Sequence, residues 1–276
     1  MSKQAEMSFI EHLEELRWHI ARSLVAICVF AVLAFLAKSF IFDTLLFGPK
    51  EAWFPTYSAL CKASHYFGMG ESLCFSPQPF KIIVVEPMAQ FLSHIKVSIV
   101  LGLILGFPYI FYEMWKFIAP ALYDNEKKYT RGIVFISSLL FLIGVGFGYF
   151  VLCPFSLNFF ASYSVSEEVT NTWGLTDYVS LIATLVLAAG VMFELPMVVY
   201  FLSKVGIATP ESMREYRKHA FVAILLLSAI ITPPDVVSQL LVGLPVYMLY
   251  EMSIFISASV QKKEIALEKA EEAKLK

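Results

Sequence analysis

The sequence predicts an all-α membrane protein with six transmembrane helices, and two properties of the chain lead to this fold class. Hydrophobic residues make up 58% of the 276 residues and charged residues only 16%, with a mean hydropathy of +0.69, which lies outside the range of soluble globular domains. The apolar residues also form long blocks that lack the alternation expected of barrel strands. Only helices or closed barrels satisfy their backbone in lipid, so the blocks predict helices.

Six apolar blocks qualify as spans. We place them at 19–42, 92–117, 132–153, 177–202, 219–232 and 236–259. The block from His219 to Thr232 would form a helix of about 21 Å, against roughly 30 Å for the hydrocarbon core. That side of the protein either thins the bilayer locally or has span boundaries that the hydropathy pattern misplaces.

The distribution of lysine and arginine predicts the orientation of the spans. Cations of one side surround the chain termini and two of the loops: Lys3, Arg17, Arg22, Lys116, Lys127, Lys128, Arg131, Lys204, Arg214, Arg217 and Lys218. The other side has cations only in and around the long loop 42–91. Both termini are therefore predicted to be cytoplasmic, with segment 1–18 before the membrane domain 19–260 and a charged tail, 261–276, that is either helical or disordered.

The segment before the first span predicts an amphipathic helix. Ser8 and Glu11 match a capping box. At 100° per residue, one stripe is apolar, while three glutamates lie on the opposite side: Phe9, Leu13, Leu16 and Ile20 against Glu11, Glu14 and Glu15. The acidic face either binds a partner or is a solvated face whose charges favour a helix N-terminus.

A second acidic patch follows the second span, where Pro120 ends the apolar run and Asp124 and Glu126 lie among aromatic residues and lysines. A carboxylate beside aromatic rings can bind a guanidinium through two hydrogen bonds while the rings cover its aliphatic stem. Two such patches on one face of the membrane would suit a ligand with two adjacent arginines.

We single out two carboxylates within the predicted spans. Glu194, in the stretch Phe193-Glu194-Leu195-Pro196, is deep in the fourth span. Charged groups in the membrane are costly and usually face a cavity or a polar partner, so Glu194 is either functional or a polar contact that joins helices. Glu251, near the inner end of the last span, leaves the same two alternatives open.

Two of the four cysteines, Cys61 and Cys74, fall in the long outside loop. In an oxidising compartment they would either form a disulfide worth about 3 kcal/mol or remain free thiols. Cys28 and Cys153 are expected to be small buried hydrophobes. The spacing of cysteine and histidine predicts no metal site.

The sequence contains no motif of a P-loop NTPase, a serine hydrolase or a zinc protease. The chain is therefore not expected to be an enzyme. We expect no cofactor, no metal and no nucleic-acid partner.

Several motifs, taken in order along the chain, resemble the TatC family, the multispanning receptor component of the twin-arginine protein translocase. The resemblance covers residues 8 to 258 and rests on these groups: His12-Leu13-x-Glu15-Leu16-Arg17, Glu86-Pro87, Lys96, Trp115-x-Phe117-x-x-Pro120-Ala121-Leu122-Tyr123-x-x-Glu126, Phe193-Glu194-x-Pro196, Thr232-Pro233-Pro234-Asp235-x-x-Ser238-Gln239 and Tyr250-Glu251.

This resemblance implies a receptor for the twin-arginine signal peptides of folded cargo in the bacterial inner membrane, driven by the proton motive force. It makes Glu15 and Glu126 the arginine ligands, in a binding site that also comprises His12, Leu16, Arg17, Phe117 and Tyr123. It implies that Glu194 and Gln239 contact single-span subunits of the TatA and TatB type, and that Pro233, Pro234 and Asp235 form an outside turn. We also expect contacts with membrane lipid and a homo-oligomeric receptor complex.

The chain departs from the family pattern at two places. The family commonly has a second arginine two residues after the first, where this chain has Trp18 and His19, so aromatic anchoring would replace a cationic anchor. The loop that holds Cys61 and Cys74 is longer than usual. A secondary transporter that uses Glu194 is the alternative function, although the sequence contains no visible internal repeat, and an intramembrane enzyme is a more distant one.

Overall fold

We analysed a computed structural model of the chain. It describes residues 9–66, 68, 70–71, 74, 76–118, 130–166, 168, 170–232 and 236–275. Three of the predicted site positions or groups lie outside these residues: Tyr123, Glu126 and the turn 233–235.

The described residues are mostly helical, as the hydropathy pattern predicts. Their ten α-helices are α1 (Phe9–Leu36), α2 (Pro55–Tyr66), α3 (Ala89–Ile118), α4 (Thr130–Phe147), α5 (Cys153–Ser162), α6 (Leu175–Phe193), α7 (Leu195–Lys204), α8 (Pro210–Glu215), α9 (Arg217–Ile231) and α10 (Val236–Leu275). Two π-helical segments, Phe40–Leu46 and Gly148–Leu152, and a 3₁₀ turn, Gly48–Lys50, interrupt them. The strands β1 (Lys81–Ile83) and β2 (Thr172–Gly174) pair in a two-stranded sheet.

Among the described residues, five helical stretches are long and apolar enough to cross a membrane: Leu13–Leu36, Ala89–Phe117, Gly132–Ser162, Leu175–Lys204 and Ser238–Lys263. They correspond to five of the predicted spans. The remaining predicted span forms α9, whose 15 residues give a length of about 22 Å. The small length is thus a property of this helix, while the count of six spans stays a prediction.

The third stretch extends beyond its predicted end at residue 153. Pro154 does not stop the helix, because the π-helical segment Gly148–Leu152 precedes it and the Cys153 N–H bonds to the Gly148 carbonyl. Proline at the start of a helical segment loses no hydrogen bond that the segment needs. The helix therefore continues through α5 to Ser162.

Both ends of the chain extend the adjoining membrane helices. α1 runs without a break through residue 18, so the predicted amphipathic segment and the first span share one helix. Leu13 and Ile20 of its apolar stripe are exposed, and Glu14 lies exposed beside them in sequence. α10 continues to Leu275, so the tail is helical in this structure.

The chain folds as two compact units. The first comprises described residues within 1–46, 82–142 and 174–183, and its centre is the contact between α1 and α3. A Cβ at Gly102 would lie 2.7 Å from the Ile27 carbonyl oxygen and 2.8 Å from the Ala31 nitrogen. The absence of a side chain at Gly102 thus lets the two backbones approach closely, as small residues do in membrane helix pairs.

The second unit comprises described residues within 47–81, 143–173 and 184–276. In it, α10 packs against α7, α8 and α9, and a buried cluster joins three of these helices through Val199 of α7, Met213 of α8 and Ile254 of α10. Gly148 gives a second close approach, since a Cβ there would lie 2.9 Å from the Val186 Cα.

The long loop belongs to this second unit and has its own small core. Phe54 is buried between Tyr57 and Tyr149, and the Tyr57 hydroxyl donates to the Pro49 carbonyl at 2.6 Å. Burial raises the pKa of Tyr57 to about 12, with a smaller contribution from Cys153. The structure joins Cys61 and Cys74 in a disulfide.

Candidate functional site

The candidate site lies where the first turns of α1 meet the last turns of α3. Glu15, on α1, has a side chain that is 41% exposed. Leu16 beside it is half-buried and Arg17 is exposed. Phe117, one residue before the end of α3, is half-buried. The structure thus brings Glu15 and Phe117 to one end of the first unit, and the segment that holds Tyr123 and Glu126 follows α3 directly in sequence.

His19 connects these predicted residues. Its ring is one helical turn after Glu15, the spacing at which side chains of a helix meet, and its Nε2 lies 4.0 Å from the Glu15 Oε1. The Phe117 ring packs against the imidazole in an edge arrangement, with the ring centroids 6.0 Å apart. His19 is only 5% exposed, so it is a buried neighbour of the half-exposed Glu15.

The sequence interpretation missed Glu113, which is 3% exposed. Its Oε2 accepts a hydrogen bond from the His19 Nδ1 at 2.5 Å. The Arg22 Nη1 lies 3.4 Å from the same oxygen, and the Tyr109 hydroxyl also bonds to this carboxylate. His19 and Arg22 of α1 therefore enclose a buried carboxylate of α3.

A signal for Glu113 was present in the sequence. It is a carboxylate inside an apolar stretch, Ala89–Phe117, and the rule that singled out Glu194 applies to it equally. His19 was a second indication of such a pair, since a buried histidine in the membrane requires a polar partner.

We call one group of residues the α1–α3 cluster, in which carboxylates and basic side chains are equal in number: Glu15, His19, Arg22, Tyr109 and Glu113. Glu113 has donors from both helices, so its charge is compensated where it is buried. The Glu15 side chain is more exposed than that of Glu113, and its distance of 4.0 Å to His19 is too long for a hydrogen bond. The Glu15 carboxylate therefore keeps its capacity to accept hydrogen bonds from a ligand.

Glu194 lies at a break in the fourth membrane stretch. α6 ends at Phe193 and α7 begins at Leu195, with Pro196 in its first turn. Glu194 is half-buried, and its carbonyl accepts from the Met197 and Val198 N–H groups at 2.9 and 3.0 Å. The helix breaks here because Pro196 has no N–H group to donate to the preceding turn. Glu194 belongs to the second unit.

Glu251 has a structural setting. The Arg217 Nη2 donates to its Oε2 at 2.7 Å and the Tyr247 hydroxyl donates to its Oε1 at 3.1 Å. These bonds join the start of α9 to α10. They favour the interpretation of Glu251 as a polar contact between helices.

Gln239 connects the same two helices at their other end. Its Nε2 donates to the Leu225 carbonyl at 3.1 Å. The turn that holds Pro233, Pro234 and Asp235 lies outside the described residues, as do the side chain of His12 and the residues Tyr123 and Glu126. Their roles stay predictions.

One group in the described residues has the spacing of metal ligands, namely Cys61, His65 and Cys74. The two sulfurs are bonded to each other and so do not offer two thiolates, the form in which cysteine binds metal. The His65 Nδ1 instead donates to the Cys61 carbonyl at 2.8 Å. These three residues therefore do not offer the set of ligands that a metal ion requires.

The chain is similar in sequence to the members of one known protein family. The sequence pattern of the family described as Sec-independent protein translocase protein (TatC) matches residues 11–245. TatC of Blattabacterium sp. subsp. Periplaneta americana is 40% identical over 95% of this chain and 99% of its own length. TatC of Aquifex aeolicus is 32% identical over 96% and 100%.

Solved structures agree with this placement. A crystal structure of the twin-arginine translocase receptor TatC covers 91% of this chain and 100% of its own, with a TM-score of 0.66 and 31% identity. A second crystal structure of that receptor, in the detergent DDM, has a TM-score of 0.70 and 32% identity over 90% and 99%. The chain, a multi-pass membrane protein of the protein-transport machinery, therefore belongs to the TatC family of Sec-independent protein translocase proteins.

Proposed function

We propose that this chain is the receptor that binds the twin-arginine signal peptides of folded proteins and organises their export. The observation that carries the proposal is the half-exposed Glu15 carboxylate beside the buried His19, whose ring also packs against Phe117. Two matched structures are described as a twin-arginine translocase receptor, which supports the same role here.

The chemistry of the proposed site suits arginine. Charge-assisted hydrogen bonds contribute roughly 1.5 to 3 kcal/mol each, so two carboxylates, Glu15 and Glu126, would account for much of the selectivity for a pair of arginines. Lysine lacks the planar fork that a carboxylate binds through two bonds. Phe117 lies where it would cover the aliphatic part of a bound side chain. His12, Leu16, Arg17 and Tyr123 complete the proposed site.

The proposed membrane arrangement has six spans, with α9 as the short fifth, and both termini in the cytoplasm of a bacterial inner membrane. The distribution of lysine and arginine supports this orientation. It puts Glu15 and the end of α3 on the cytoplasmic side, where a signal peptide arrives. The proton motive force is the proposed energy source.

The proposed partners are single-span subunits of the TatA and TatB type, together with lipid and further copies of this chain. We assign the partner contact to Glu194 and Gln239, since a half-buried carboxylate at a helix break inside the membrane can bind a polar group of another helix. The alternative of a secondary transporter relied on Glu194 and is weakened because the matched relatives are translocase proteins.

Photo-crosslinking tests the location of the proposed site. A photoreactive residue at Leu16 or Phe117 should crosslink to a synthetic signal peptide that carries Arg-Arg. The same residue at Val32, an exposed position far along α1, is the matched control and should not. Equal crosslinking from Val32 and Leu16 would remove the site from the start of α1.

A further inference from the structure

The His19 ring has a carboxylate at each of its two nitrogens. Nδ1 lies 2.5 Å from the buried Glu113 and Nε2 lies 4.0 Å from the half-exposed Glu15. The two ring nitrogens are separate polar groups, and the hydrogen bond from Nδ1 to Glu113 fixes the direction in which Nε2 points. The ring thus links a carboxylate inside the protein to one at its surface.

The inner end of this link is fixed. Glu113 binds His19, Arg22 and Tyr109, and Phe117 packs against the imidazole from α3. The described groups at the ring are Glu15 on its own helix and Glu113 and Phe117 on α3, while Arg22 and Tyr109 contact Glu113. With His19 held in this way, the ring is a fixed neighbour of Glu15.

We infer that His19, held by Glu113, is a positioning residue that orients the Glu15 carboxylate for a ligand guanidinium. The inference rests on the proposed function, in which Glu15 binds an arginine of the signal peptide. The fixed His19 ring beside the Glu15 Oε1 restricts the rotamers of Glu15. A side chain that is ordered before binding loses less conformational entropy when its ligand arrives.

An opposite effect is also physically defined. If the His19 ring is protonated, it presents a positive charge 4.0 Å from Glu15 that would repel an incoming guanidinium. If that repulsion were larger than the gain from ordering, a neutral residue at position 19 would strengthen peptide binding. The two effects therefore predict changes of opposite sign, so the same experiment decides between them.

The experiment is a double-mutant cycle on peptide affinity, measured with the full chain in detergent and a synthetic signal peptide carrying Arg-Arg. His19→Gln keeps hydrogen-bonding atoms and removes the rigid ring, and it should weaken binding by about 3- to 10-fold, the size of one side chain's ordering entropy. In the Glu15→Ala background, His19→Gln should cause no further loss. His19→Arg, whose planar group has several donors, should retain most of the affinity.

His94→Gln is the matched control, because His94 is the other described histidine of the α1–α3 contact. It stacks on Phe35 with the ring centroids 3.9 Å apart and its Nε2 lies 3.1 Å from the Phe35 carbonyl oxygen. Its loss should leave peptide affinity unchanged.

Three results would overturn the inference. Unchanged or tighter binding by His19→Gln would assign His19 no positioning role. An equal loss with and without Glu15 would make that role general packing. If Glu15→Ala itself bound normally, Glu15 would leave the site, and both the inference and the arginine-ligand assignment would fail. The first two results leave the proposed function standing.

Discussion

The His19 Nδ1 lies 2.5 Å from the Glu113 Oε2, although the two residues are 94 positions apart in the chain. This pair joins α1 to α3 at the end of the first unit where the candidate site lies. The Glu113 carboxylate gives the buried His19 ring a hydrogen-bond partner inside the contact between the two helices.

Glu113→Ala should lower the free energy of unfolding by about 3 kcal/mol, because it leaves His19 and Arg22 without the carboxylate that compensates them. Unfolding in mixed detergent would measure the effect. Glu14→Ala, an exposed glutamate of the same helix, is the control and should change stability by less than about 0.5 kcal/mol. Equal stability of the two variants would show that the Glu113 pair does not hold α1 on α3.

Gly102→Ala should destabilise the α1–α3 contact by about 1 to 3 kcal/mol, since the new methyl group would lie 2.7 Å from the Ile27 carbonyl oxygen. Gly146→Ala is the matched change, because nothing lies within 4 Å of a Cβ at that position. It should stabilise the helix slightly. Thermal unfolding of both variants in one detergent would separate them, and a stable Gly102→Ala would argue against the close approach.

The disulfide of the long loop should shift the mobility of the chain in a gel when it is reduced, and Cys61→Ser should abolish that shift. The bond closes a loop with a sequence separation of 13 residues, so its loss should cost roughly 3 kcal/mol. Cys28→Ser is the control, since Cys28 is a free cysteine. The expectation that Cys28 is buried was wrong, because its side chain is exposed in the structure, whereas Cys153 is buried. A chain that gives the same mobility with and without reductant would have free thiols.

Glu194→Ala should impair recovery of the single-span partner subunits more than it impairs signal-peptide binding, because Glu194 lies at the α6–α7 break and far along the sequence from the arginine ligands. Co-purification from membranes, beside peptide binding by the same variant, gives both quantities. Glu251→Ala provides a second intramembrane carboxylate for comparison. Normal partner recovery by Glu194→Ala would remove the partner assignment.

The sequence was sufficient to predict the helical class and the location of five membrane stretches, because long apolar blocks have few alternatives in lipid. It misplaced the end of the third stretch, since a π-helical segment that accommodates Pro154 has no hydropathy signature. It proposed Glu15 and Phe117 as site residues from local pattern and resemblance, and their role in binding stays a prediction. It missed the pairing of His19 with Glu113, because contacts between residues so far apart depend on how α1 packs on α3.

The most direct test of the central claim is equilibrium binding of the detergent-solubilised chain to a signal peptide carrying Arg-Arg, beside the same peptide with Lys-Lys. We expect a preference for Arg-Arg of at least tenfold, or about 1.4 kcal/mol, that is lost in Glu15→Ala and in Glu126→Ala. Equal affinity for the two peptides, or a preference that survives both substitutions, would contradict the assignment of these carboxylates as the arginine ligands.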